Sequence, residues 1–438
     1  ANTTVQNYGT IKGSVLLSGP NSIFDNRETG LFESGQTVNG YLYNLGTVSP
    51  GGTGTLEATA ISGNYVQQAT GKLQVDADWI SGKSDQLDIH GTAQLAGKVV
   101  VNPLNFPAGS GLTKTFTILT AAGGVTNNGI TAVDTAAVDY TLLFPDANTM
   151  NLQAVIDFTP EPVDDPTLPT TGLTNSQTAV GGTLNQIVGS GGNPDFIAPL
   201  MTLNSSKELA EALDQLAPAG DGGSFSSAMG TGATFAGQLL SCKTLGEGDA
   251  NAFIREGQCL WVRANARHTD NDGGSSKVGF DETATFYSAG AQFDIGGPWR
   301  LGAGLGFETA DLSTESHATS ESDRLHAGAV LKYNPGALLI AAGLTGGKGW
   351  ADNERHVSFA GFSETATSDT DQSFLTGRLT GAYLFSYGHW YAKPQVDLAV
   401  THLERDAYSE NGAGGIALDV DKASDTVFSV SPSLELGA

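Results

Sequence analysis

Few residues in this 438-residue chain have the type and spacing that chemistry needs. Asp76, Asp78, Asp85 and Asp88 crowd into "DADWISGKSDQLD", and carboxylates at short spacing are what a calcium ion takes. The Gly-Gly-x-Gly-x-Asp repeat that would shape such a site is absent, so these acids read as solvated faces of short strands. The seven histidines (90, 268, 317, 326, 356, 389 and 402) are scattered, with no His-Glu-x-x-His pair and no metal spacing. No G-x-S-x-G elbow is present. "GAGLGFE", from Gly302 to Glu308, places its glycines on one strand face with no helix after it, which excludes a dinucleotide loop. The chain is expected not to be an enzyme, with no catalytic residue, metal or cofactor. Cys242 and Cys259 either pair in an oxidising compartment, closing a short loop, or are two unrelated buried thiols.

The remaining chemistry is that of a wall. "WRLGAGLGFETADL" alternates Trp299, Leu301, Ala303, Leu305 and Phe307 with Arg300, Gly302, Gly304, Gly306 and Glu308. Period two is a strand, and its second face is a row of glycines between charges. Arg263, Arg267, Arg300, Glu308, Arg324, Lys332, Arg378, Lys393 and Asp397 all fall on that kind of phase. Facing a lumen, they would hydrate it and grip whatever passes. The bland reading is that any polar lumen looks this way.

Composition agrees. Charged residues are only 15% and glycines number 58, against about 25% and roughly 7% in ordinary soluble domains. The net charge of −25 excludes nucleic-acid binding. No run reaches about 18 apolar residues, so no membrane helix is expected. "ANTTVQNYGT" carries neither an initiator Met nor a signal pattern, so the chain starts after processing or is a fragment.

Four regions position these residues. Residues 1–157 read as short strands with Gly and Asn corners: Leu73, Val75 and Ala77, then Leu87, Ile89, Ala93, Leu95, Val99 and Val101. They suit the terminal coils of a parallel β-helix capped near "FTILTAAGG", with a sandwich as the alternative. Residues 158–190 form a Pro/Thr/Gly linker. Residues 191–256 are helical: Ser205 and Glu208 make a capping box ahead of Leu209, Leu213 and Leu216, and a lean, small-residue helix spans about 226–243. Residues 257–438 hold eight long strands, joined alternately by tight turns ("GGP", "NPG", "SYGH") and long polar loops. That alternation, with an apolar phase about ten residues long on each strand, is the pattern of a transmembrane β-barrel with periplasmic tight turns. Trp299, Tyr333, Tyr383, Phe385 and Trp390 would form its girdle. The alternative, a soluble sandwich, leaves both the glycine face and the loop alternation unexplained. The first strand then starts in the periplasm, and the lean helix is the only segment before it that can cross, through the lumen.

"GNYVQQATGKLQVDAD", "ALDQLAPAG", "GQCLWVRANARH" and "WYAKPQVDLAVTHLE" occur in the order of a known family. The chain resembles the C-terminal portion of a classical autotransporter of type V secretion in Gram-negative bacteria. The resemblance implies an all-β molecule: a right-handed parallel β-helix, a linker, a pore helix and an antiparallel outer-membrane barrel. It implies twelve strands ending in an aromatic residue where eight and Ala438 are seen, so truncation is expected. The implied function is export and surface display of the β-helical passenger. Outer-membrane lipid is the expected surrounding, with the barrel-assembly machinery, periplasmic chaperones and host or bacterial surface ligands as expected partners. A porin-like channel with an extracellular domain, or adhesion by the passenger, are the rival functions.

Overall fold

The computed structural model describes residues 2–19, 21–105, 111–159, 173–192, 194–218, 221–240, 242, 256–273 and 278–437, without the side chains of 221–225. The chain divides into two compact units, Ala1–Leu213 with Ser358–Phe362, and Asp214–Val357 with Ser363–Ala438.

The first unit is a coil of short parallel strands. Thr4–Asn7, Ile23–Asn26, Tyr41–Asn44, Tyr65–Gln67, Ala93–Leu95 and Val125–Asn127 lie side by side in one sheet. A second sheet stacks further segments, among them Leu31–Asn39, Thr47–Pro50, Lys72–Asp78 and Lys98–Leu104. Parallel neighbours require the chain to circle between them, and each circuit returns side chains of like kind to the same level. Phe24, Leu42, Tyr65 and Ala93 sit in register and fully buried. So do Val48, Leu73 and Val99. Leu87, Ile89 and Leu95 are buried as the alternation requires, while Val101 is half-buried.

A polar ladder runs inside the coils. Asn7 Nδ2 donates to Asn26 Oδ1 (2.8 Å), Asn26 Nδ2 to Asn44 Oδ1 (2.9 Å), and Asn44 Nδ2 to Gln67 Oε1 (3.3 Å). Tyr65 closes it by donating to Gln67 Oε1 (2.6 Å), and burial raises that phenol above its ordinary range. The coils end against antiparallel strands: Thr113–Ala121 pairs with Thr149–Ile156, which pairs with Val138–Asp146.

Three of the four acids expected on solvated faces are instead buried. Asp76 and Asp85 are 1% and 0% exposed, Asp78 is 9% exposed, and Asp88 alone lies at the surface. They are buried because they satisfy backbone donors at corners. Asp85 accepts from the amides of Glu57 and Asp76 (both 2.8 Å). Asp76 accepts from Gly54 N and Asn102 Nδ2, and Asp78 from Ile80 N and Ser81 N.

Among the described residues four helices follow: α1 (Asn175–Gly189), α2 (Ile197–Met201), α3 (Ser206–Leu216) and α4 (Asp221–Leu239). α1 begins inside the stretch expected to be linker; Thr174 and Gln177 form a capping box there. The rest of that expected linker, 160–172, lies outside the described residues. α3 is capped by Ser205 and Glu208 and buries Leu209, Leu213 and Leu216. α4 starts earlier and ends sooner than expected, with Cys242 just beyond it.

The second unit is one curled antiparallel sheet. Its long strands are β1 (Cys259–Asn271), β2 (Phe280–Gly296), β3 (Trp299–Thr314), β4 (Ala318–Tyr333), β5 (Leu338–Phe359), β6 (Phe362–Tyr383), β7 (Trp390–Arg405) and β8 (Ala423–Gly437). They are neighbours in chain order, and among the described residues β1 and β8 are not paired with each other. The tight turns fall where expected, on glycines with positive φ: Gly296 and Gly297, Gly336, Gly388. Two expected long loops are mostly strand. β3 and β4 nearly meet across 315–317, and β5 and β6, each 22 residues, meet at Ala360–Gly361. About ten residues cross a bilayer, so polar residues on both phases of these strands mark length beyond the hydrocarbon rather than loop.

Candidate functional site

Alternation decides which face is which. On β3, Leu301, Leu305 and Phe307 are 43%, 68% and 39% exposed, while Glu308 is 0%. Register carries the same division across the strands: Leu301 opposes Leu331, Ala303 opposes Ala329, and Phe307 opposes Leu325. Trp299 stacks beside Tyr333 (4.8 Å between rings) and Tyr383 beside Phe385 (4.7 Å), all at the tight-turn end. A belt of outward Leu, Val and Phe above an aromatic rim fits a sheet that faces hydrocarbon.

The inner face carries α4. Gly304 and Gly328 stand where a Cβ would lie 3.0 and 2.8 Å from the methyls of Leu239. Gly306 and Gly347 likewise make room for the rings of Phe286 and Phe374. The glycine row is therefore the bed of the helix. Phe235, Leu239, Phe286, Val330 and Ala341 form the apolar part of the contact, and Ala228 meets Phe374 and Leu403. A helix of Ala, Gly, Ser and Thr is thin enough to lie there.

Polar contacts fix its rotation. Thr231 Oγ1 donates to Glu308 Oε1 (2.5 Å), and Gln238 meets Ser288 (2.5 Å). Ser227 bonds to both Glu282 and Arg324. Around them, Arg267 pairs with Glu282 (3.1 Å) and Glu308 (3.8 Å), and Arg324 and His326 each reach Glu308 at 3.3 Å. Two arginines and two glutamates balance, which is what burial of charge demands. His326 is ringed by Phe235, Phe286 and Phe374.

Below α4 the chain is tied to the tight-turn end. Cys242 and Cys259 are disulfide-bonded. Glu256, 4% exposed, accepts from Lys332 Nζ (2.8 Å) and Gln292 Nε2 (3.0 Å).

The nine charged residues expected on the lumen thus divide. Arg267, Glu308 and Arg324 meet α4, and Lys332 meets the segment after it. Arg378 bonds to Asp397 (3.0 Å), which also holds Thr380 and Gln395. Lys393 pairs with Glu435 of β8. Arg300 braces its turn through the carbonyls of Gly297 and Trp299 (2.9 and 2.8 Å) and through Asp294. Arg263 lies 5.5 Å from the Trp261 ring. Sequence alternation puts His326 on the same face as Arg324 and Lys332 without assigning it a role, and it missed Glu282, Glu256, Ser227 and Thr231. Glu282 shares the inward phase and was within reach of the same alternation.

Among the described residues no cluster suits a metal ion, and no helix is long and apolar enough to cross a membrane. No curated protein matches the chain. A solved structure, the translocator domain of autotransporter NalP from Neisseria meningitidis, is similar at 13% identity, with a TM-score of 0.42 over 49% of this chain and 71% of that one. The autotransporter beta-domain family model matches residues 260–438. Residues 260–438 thus match the autotransporter beta-domain model over the same strands that turn apolar side chains outward and cradle a helix within.

Proposed function

We propose that this translocator exports and displays its own N-terminal β-helix on the cell surface, leaving α4 in the lumen. The observation that carries the reading is the path of α4. Its early residues Ser227 and Thr231 bond near the long-loop ends of β2–β4, and its far end is tied through Cys242 to the start of β1. A chain on that path leaves the periplasm through the lumen. No step needs chemistry from this chain, and we infer no enzymatic role. Coils that fold outside bias movement outward, since a folded coil cannot slide back. Outer-membrane lipid around the apolar belt, the barrel-assembly machinery and periplasmic chaperones are the proposed partners, with a surface ligand for the passenger.

Proline at Leu87, Ile89 or Leu95, all buried in the coil interior, is expected to stall export. Protease shaving of intact cells measures it, and undiminished surface display of all three variants would count against the reading. A freely open channel is disfavoured by the burial of Phe235 and Leu239 against the wall.

A further inference from the structure

Beyond the apolar belt, on the inward phase of β5, lies a fully buried arginine that export does not account for. Arg355 is 1% exposed. Its Nε donates to Glu410 Oε1 (3.2 Å), and one terminal nitrogen donates to Glu410 Oε2 and to the carbonyl of Ile416 (2.7 Å). The other donates to the carbonyl of Gln215 (2.7 Å).

Glu410 and Ile416 belong to the segment between β7 and β8, which is folded rather than loose. Asn411–Gly412 pairs with Ala366 and Thr367 of β6. Glu410 N donates to Leu418 O (2.8 Å), Leu418 N donates back to Glu410 Oε2 (3.2 Å), and Ile416 is buried. The guanidinium is thus satisfied by the segment between β7 and β8 on two sides. Its third side holds a carbonyl in the last turn of α3, immediately before the chain enters α4. Carbonyls of a last helical turn have no partner within the helix, so this one is presented along the axis only when residues 206–216 are helical. An extended segment in transit presents no such group.

We propose that Arg355 and Glu410 form a latch at the mouth of the lumen, closing on the end of α3 once that segment has folded, and so retaining α4. The inference rests on the export reading. Arg355 acts here as a positioning residue, through the helix end it holds.

The test uses the full chain, with Arg355→Gln and Glu410→Gln in the barrel and Glu211→Pro in α3. Glu211 is exposed, and proline there breaks the helix without touching the latch. The readouts are the heat-modifiable gel shift of a folded barrel, protease shaving for display, and single-channel recording of purified protein. Folded barrels with displayed passenger are expected in all three. Channel openings should become about tenfold more frequent, as the loss of a hydrogen bond to a charged donor implies. Openings no more frequent than the parent's in Arg355→Gln overturn the latch. If the barrel variants do not fold, Glu211→Pro decides alone: unchanged openings overturn the proposal and frequent ones support it. A parent whose passenger is not displayed overturns the export reading, while the recordings still decide the latch.

Discussion

On Glu308 four groups converge: Thr231 from the helix, and Arg267, Arg324 and His326 from the wall. Removing one partner of such a buried set leaves the others uncompensated, at about 3–5 kcal/mol. Glu308→Ala is expected to lower the urea midpoint of the folded gel form accordingly, and Glu308→Gln, which keeps the acceptor, by less. Asp85 has the opposite logic. Burial pushes its carboxyl up to about 7 from 3.8, with the nearby charges of Asp76 and Glu57 adding to it, although two backbone amides pull it down. The folded coil then holds a proton that the unfolded chain has released between about pH 4 and 7, so this group's contribution falls as pH rises through that window and is flat above it. Asp85→Asn should flatten the pH dependence of the passenger's protease resistance in urea; an unchanged profile would remove Asp85 as its source. Glu308 and Arg324 were legible because period two assigns every second residue to one side. Asp85 was not, since an acid that accepts backbone amides and one that faces water leave the same local pattern. Glu256 was not either: it lies outside any repeat, and its partner Lys332 is 76 residues away.

Among the elements, the closest fit is between α4 and the glycine rows. A valine at Gly328 would meet Thr345 at 2.6 Å and Leu239 at 2.8 Å from its Cβ alone. Overpacking of this kind costs about 1–3 kcal/mol and should unseat the helix. Faster labelling of a cysteine placed at Ala236 by a water-soluble thiol reagent would report it. Labelling as slow as in the unsubstituted chain would mean the glycines are not the bed. All eight long strands could be read from alternation, because hydrocarbon on one side and polar groups on the other keep the two phases apart. Where β5 and β6 outrun the bilayer that contrast vanishes, which is why 351–371 read as loop. α1 was hidden for another reason: "NSQTAVGGTLNQIVG" has few large side chains, and only Thr174 with Gln177 marked its start.

The molecule as a whole is acidic, at −25, yet wraps its barrel in Leu, Val and Phe, and that contrast makes sense only if the belt meets lipid. Leu305→Arg, on a side chain 68% exposed, would be harmless on a wet surface. In a bilayer midplane it is expected to cost about 2–4 kcal/mol, read as a lower fraction of folded barrel in lipid vesicles. The amide ladder of the first unit carries a separate consequence, for how the coils age. Asn26 donates through one nitrogen to Asn44, Gly30 and Thr47 oxygens. Slow hydrolysis of that amide would replace the donor with an anion among three acceptors, in a place water cannot reach. The life of the coils is then set by how seldom the stack opens to admit water, and chemical damage would begin at whichever rung breathes first.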